Sequence, residues 1–330
     1  MSAILKTNQM DYALLPFHLK ELVVCSKAPD DIYCQKEGIF QKILRKNTEI
    51  KRKDLLKFIE MGLLTLYTSE AGKSFIDQKV RSQTLIKSRS LFRQDPEVAG
   101  PQHMNFLSMN LEKLYKDPFE EALLKFQHQN TKVFAQFLIH NRDHARPLYD
   151  HYSDQQHFYT ISQPLLSSLL LMNFLQTIDA FSEGDLQRLF IISYFKDIGM
   201  SFISKDRLSK EKLSERDRSV LTDHPETSVD LLRDRIQLDE SELKIIKHHH
   251  WLGEKFRLSQ TEGRPPENIM GFETVMVGMF DIIAAMVTSR PYRNRFSLFE
   301  TLEYVRTLVG TQYRAEFKAL VLYLHRFYSE

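Results

Sequence analysis

Six residues in the second half of the chain carry side chains that transition metals take as ligands. Asp197 lies in FKDIGM, His224 in TDHPETSVDLL, and His248, His249 and His250 in KHHHWLG; Asp281 follows in MFDIIAAM. Imidazole nitrogen and carboxylate oxygen suit iron, manganese or zinc. Mixed sets from separate helices can bridge two ions, and two ions about 3.5–4 Å apart can hold a phosphoester and activate water against it. Each residue also has an ordinary use. A His before a Pro, as at His224-Pro225, commonly caps a helix or faces water. Asp197 before Ile-Gly suits a helix end, and a run of histidines suits a solvated face. Successive helical residues point about 100° apart, so at most two of the three histidines can face one site.

These positions need a rigid helical frame, and the sequence supplies its signals. From about His151 onward nearly every segment has helical spacing. Ser182 to Asp185, Ser214 to Asp217 and Ser297 to Glu300 each set a serine three residues before a carboxylate, which is the pattern of a capped N-terminus. The most apolar run, LLSSLLLMNFL from Leu165 to Leu175, is interrupted by Ser167, Ser168 and Asn173. It is too short to span a bilayer and predicts a buried core helix.

The first part of the chain reads differently. FHLKELVV, Phe17 to Val24, alternates as a half-buried strand would, and EGIFQKIL and GLLTLYTS are two further strand candidates. KRKDLLKFIEMG, Lys51 to Gly62, has helical spacing at Leu55, Leu56, Ile59 and Met61, with Gly62 as its C-terminal stop. The expected organisation is a small α/β regulatory or sensory module over 1–72, a helical linker over 73–150 and a helical domain over 151–330. Two prolines and a glycine in DPEVAGPQHMN, Asp95 to Asn105, are expected to break the linker helices.

Composition narrows the class. The 330 residues are 42% hydrophobic and 27% charged, which suits an ordinary globular protein. Lys and Arg number 45 against 43 Asp and Glu, so there is no basic footprint for a nucleic-acid polymer. Cys25 and Cys34 do not form a CxxC pair and read as free thiols of a reducing, cytoplasmic compartment. The N-terminus lacks a basic start followed by a long apolar run, so neither a signal peptide nor a transmembrane segment is expected.

From about Phe158 to its end the chain resembles the HD-GYP family, bacterial phosphodiesterases that hydrolyse cyclic di-GMP. FSEGDLQRLFIISYFKDIGM is similar to the stretch leading into that family's HD-x-G-K signature. LSKEKLSERDRSVLTDHPETSVDLL resembles the segment with the next ligand histidine, and IIKHHHWLG the paired-histidine segment. MFDIIAAMVTSRPYRNRFSLFETLEYV is similar to the helix of the aspartate ligand and the stretch after it. The resemblance implies a mostly α fold, with an HD-type all-helical domain after the α/β module. It implies metal ligands at Asp197, His224, two of the three histidines and Asp281. Spacing favours His249 with either neighbour, and His248 is preferred because His250 then stands where the family has a glutamate. Arg290 and Arg293 correspond to a stretch near substrate phosphates, where an arginine fork suits phosphate; a turn and a structural ion pair are the alternative use.

The departures weigh as much as the matches. The family's His-Asp pair reads Lys196-Asp197, its closing lysine is Met200, and the upstream histidine falls on Gln163. GYP reads Gly263-Arg264-Pro265, so Arg264 replaces a tyrosine at the mouth of the site and either meets a phosphate or guanine edge or faces water. A lysine is cationic near neutral pH and offers no lone pair. Gln163 offers a carbonyl oxygen, a weak ligand. Asp197 and the altered Lys196 are the candidate catalytic positions, and the site is expected to hold one divalent ion (iron, manganese or zinc) or none. Three functions follow: a non-hydrolysing receptor for cyclic di-GMP or another phosphate ligand that signals to a protein partner, an active phosphodiesterase with an altered metal site, or a pure interaction scaffold.

Overall fold

The computed structural model describes residues 13–329 apart from 37, 92–94, 156, 179, 211, 213, 254–270, 291–292 and 310–311. The chain divides into two compact units, residues 1–89 and 90–330. Among the described residues no helix is long and apolar enough to cross a membrane.

The first unit is a four-stranded antiparallel sheet with helices. Strands β1 (Leu15–His18), β2 (Ile32–Lys36), β3 (Ile39–Leu44) and β4 (Thr65–Thr68) lie in the order β1-β4-β2-β3. Helix α1 (Arg52–Glu60) precedes β4, and α2 (Glu70–Leu91) follows it. Phe17, Leu22, Ile32, Cys34, Phe58 and Leu66 form the core. The strand expected over Phe17 to Val24 ends at His18, and Leu19–Val24 is a 3-10 turn instead. Leu19 and Leu22 both enter the core, and their spacing of three fits a turn and not an alternating strand. The apolar face expected for α1 is also corrected. Leu56, Ile59 and Met61 are exposed, while Phe58 is the buried anchor. Gly62 follows the helix at φ +72°, as its stop position requires.

The second unit is all helical: α3 (Pro96–Lys116), α4 (Glu121–His140), α5 (Ala145–Asp154), α6 (Tyr159–Leu175), α7 (Glu183–Phe195), α8 (Lys205–Leu208), α9 (Glu215–Leu232), α10 (Glu240–Lys247), α11 (Phe272–Val287), α12 (Leu298–Val309) and α13 (Arg314–Ser329). The prolines expected to break a helix do not do so. Asp95 caps α3 by accepting from the Glu97 amide, Pro96 takes the first helical position, and the helix runs on through Pro101. Proline costs little at position 96, where the amide would lack a helical partner anyway. Helix α6 is rich in apolar residues and lies buried at the centre, packed on α3, α5, α7 and α11. Helices α3, α4 and α5 supply Leu107, Leu111, Phe134 and Leu148 to the same core. The three serine caps form: Ser182, Ser214 and Ser297 each accept from the backbone amide three residues on.

Two histidines of this core are kept neutral. Burial lowers the pKa of His103 and of His128 to about 4, against about 6.5 for an unfolded histidine. Above pH 6.5 neither state binds a proton there, and folding loses nothing. Between about pH 6.5 and 4 the unfolded chain takes up protons that the folded chain refuses. Stability of the helical unit should therefore fall through that window, by about 1.4 kcal/mol per pH unit for each histidine. Urea denaturation at pH 7 and pH 5 measures the slope, and His128→Gln should flatten it.

Candidate metal centre

Three segments bring the centre together. Asp197 stands just past the end of α7, where the chain turns into a 3-10 segment, Ile198–Phe202. His224 lies within α9. His249 and His250 lie in the turn after α10. One ligand atom from each of these four residues falls within 4.8 Å of the other three.

The orientation of two imidazoles follows from helix irregularities. Pro225 has no amide hydrogen, so the Leu221 carbonyl four residues back loses its helical partner. His224 Nδ1 takes that carbonyl at 2.6 Å. The end of α10 leaves its last carbonyls open, and His249 Nδ1 takes that of Ile246 at 2.6 Å. With Nδ1 held at a backbone carbonyl, each ring turns its Nε2 inward, the atom through which such an imidazole can bind metal.

These inward atoms crowd one point. His224 Nε2 lies 3.2 Å from Asp197 Oδ1 and 3.4 Å from His249 Nε2, which is itself 3.2 Å from the same carboxylate oxygen. His250 Nε2 lies 3.3 Å from His224 Nε2. Three imidazoles and one carboxylate converging within 4.8 Å form a donor set that fits a single transition ion. Burial, followed by repulsion from His249, pushes the His250 pKa down to about 3. That imidazole is therefore neutral and able to donate, although 39% of its side chain is exposed.

Lys196 occupies the other side of Asp197. Its side chain is wholly buried, and its ammonium contacts Asp197 Oδ2 and lies 2.7 Å from Asp281 Oδ1. Burial alone would strip its proton. The charges of Asp197 and Asp281 outweigh that effect and hold its pKa above the ordinary lysine value. The same ammonium overcomes burial at both carboxylates and keeps them below the usual range. Two carboxylates against one ammonium leave one net negative charge.

Two close approaches seat the histidines. A Cβ on Gly199 would fall 2.3 Å from the His224 carbonyl oxygen and 2.8 Å from the Ser228 amide. A Cβ on Gly278, in α11, would fall 2.7 Å from the His249 carbonyl oxygen. The Gly199 amide donates to Ser228 Oγ at 2.8 Å, and the Tyr115 hydroxyl donates to the Asp197 carbonyl at 2.9 Å.

Among solved structures the chain is similar to Bd1817, an HDG"Y"P protein from Bdellovibrio bacteriovorus. The TM-score is 0.54 at 13% identity, over 89% of this chain and 93% of that one. The fold is HD-GYP-related. No family model and no curated protein matches the sequence.

Within this HD-GYP-type fold the expected positions fall into distinct places. Asp197, His224 and His249 converge. The partner of His249 is His250 and not His248, because the chain leaves the helix at Lys247 and the following turn swings His250 toward His224. Asp281 lies outside the four-donor group; its Oδ1 binds Lys196 and accepts from Gln163 Nε2 at 2.7 Å, and its Oδ2 lies 3.7 Å from His250 Nδ1. Gln163 does not present the carbonyl expected of a weak ligand. Its carbonyl accepts from Arg290 Nη2 at 2.6 Å while its amide faces Asp281, the only sense in which a carboxylate and a guanidinium are both satisfied. Arg290 also lies over the Tyr159 ring, 4.7 Å from its centroid. Arg293 turns away to the carbonyls that end α11, donating to Ala285 at 2.8 Å, as cations favour at helix C-termini. Arg264 lies outside the described residues. Tyr115, Gly199, Ser228 and Gly278 were missed by sequence reasoning; only Gly199, inside FKDIGM, carried any signal.

Two outcomes follow for variants. Lys196→Met leaves two buried carboxylates without their cation and should cost about 3–5 kcal/mol in metal-free protein, read by chemical denaturation. Gly278→Ala should displace the His249 turn from α11 and weaken Co(II) binding about tenfold or more, measured by titration of the visible absorbance, whereas Gly253→Ala, whose added Cβ meets nothing within 4 Å, should leave Co(II) affinity unchanged.

Proposed function

We propose that this protein is a divergent HD-GYP-type signalling protein of the bacterial cytoplasm, with one transition-metal ion in its centre. It binds cyclic di-GMP or a related phosphodiester and passes the bound state to a protein partner, with hydrolysis weakened or lost. The observation that carries this reading is the Lys196 ammonium between the carboxylates of Asp197 and Asp281. A second dication bridging those carboxylates would need the space and the charge that Lys196 already fills. Asp197, His224, His249 and His250 would hold the one ion. An ion bound there would supply Lewis acidity toward a phosphoryl oxygen.

The chain's own residues have separable parts in this reading. Lys196 fixes Asp197 through Oδ2, so that Oδ1 faces the imidazoles. Gln163 relays between Asp281 and Arg290, which holds one arginine at the border of the centre, a side chain whose fork suits phosphate. The fold of Bd1817, described as an HDG"Y"P protein, supports the class. Cys25 and Cys34, buried and unlinked, fit a reducing compartment. In this reading the N-terminal α/β module, residues 1–72, is regulatory.

Elemental analysis and a nucleotide assay on one sample test the proposal. Purified protein should carry about one transition metal per chain, and Lys196→His should raise that toward two. Calorimetry should show cyclic di-GMP binding that Arg290→Ala weakens, with no product by chromatography in the presence of Mn(II) or Fe(II). Two tightly bound ions in the unaltered chain would overturn the single-ion centre. Turnover abolished by Asp197→Ala would establish the phosphodiesterase reading instead.

A further inference from the structure

A cavity of about 530 Å³ opens beside the metal centre without sharing any of its four donor residues. It lies between the C-terminal half of α3, the junction of α5 and α6, and the segment from Ser201 to Leu208. Its size is that of a site for a small organic molecule.

The walls and the rim differ in chemistry. Met109, Phe158, Ile161 and Leu208 give the cavity an apolar body. Phe202, also in the lining, is 47% exposed and meets the exposed Phe119 edge to face at 6.0 Å, so apolar surface continues outside the cavity. Two lysines contribute to the lining, Lys116 and Lys205. Lys116 lies 3.9 Å from the Glu112 carboxylate, a highly exposed pair that holds its charge only weakly. Lys205 sits 5.0 Å from the centroid of the Phe158 ring. Burial lowers the pKa of His157, so that side chain adds no charge at neutral pH. Two ammonium groups against the Glu112 carboxylate leave one net positive charge in the lining. The Ser201 Oγ is buried and has no partner among the described residues. With almost no accessible surface that hydroxyl is closed to a ligand in the cavity, so recognition of a head group falls to the two lysines.

We propose that this cavity is a second ligand site, for a small organic anion with an apolar body, such as a medium-chain carboxylate. The chain lies against the apolar walls, and the head group meets Lys116 and Lys205. The site is separate from the metal centre, with Tyr115 between them: it lines the cavity and its hydroxyl donates to the Asp197 carbonyl.

Calorimetry with decanoate and with decanol on the full-length protein tests the assignment. Decanoate should bind with one site per chain, and decanol about tenfold more weakly, because it has the same chain and no charge. The double variant Lys116→Ala with Lys205→Ala alters exposed side chains and should bring decanoate down to the affinity of decanol while leaving the thermal midpoint unchanged. A photoreactive decanoate analogue should label residues of α3, α6 or the Ser201 to Leu208 segment. Absence of saturable binding, equal affinity for the two probes, an unaffected double variant, or labelling confined to other segments would each overturn the proposal.

Discussion

One buried ammonium organises the centre. Lys196 has no exposed surface, and a charge in that position is tolerable only with matched counter-charges at contact distance. Asp197 and Asp281 supply them from the end of α7 and the middle of α11, so the pairing ties those elements together at one point. It also orients what lies around it. With Oδ2 of Asp197 committed to Lys196, Oδ1 is left to face His224 and His249. With Oδ1 of Asp281 shared between Lys196 and Gln163, the amide of Gln163 has one workable sense and its carbonyl is left for Arg290. One buried cation therefore sets more than one partner: it fixes both carboxylates, and through Asp281 the sense of Gln163.

The imidazoles are aimed by irregularities in helices and not by a separate set of polar residues. The missing amide of Pro225 frees the carbonyl that orients His224, and the end of α10 frees the carbonyl that orients His249. Glycine at 199 and 278 then lets the backbone of each histidine approach its neighbour more closely than any side chain would permit. A proline inside a helix, a helix end and two missing Cβ atoms together place the donor nitrogens within reach of one ion.

Much of the fold could be read along the chain, since it depends on local physics. The serine caps at 182, 214 and 297 and the buried, apolar-rich α6 formed as spacing required. Local reading failed where neighbours in space decided. Phe17 to Val24 looked like one strand, but Leu19 and Leu22 reach the core from a 3-10 turn. The prolines of Asp95 to Asn105 looked like a break, although Asp95 and Pro96 are the start of a helix. Leu56 and Ile59 had the spacing of a buried face, and packing chose Phe58.

The candidate site divides in the same way. The sequence by itself determined the residue types and their order, Lys196-Asp197, His224, a run of histidines and Asp281, because identity and spacing are properties of the chain. It could not determine direction. That His250 and not His248 joins His249, that Gln163 turns its amide to Asp281, that Arg293 closes a helix end, and that Lys196 lies between two carboxylates were decided only by the tertiary structure. The reason is physical: a side chain's partner is set by which atoms the packing of distant helices brings within about 3 Å, and no spacing along the chain encodes that distance.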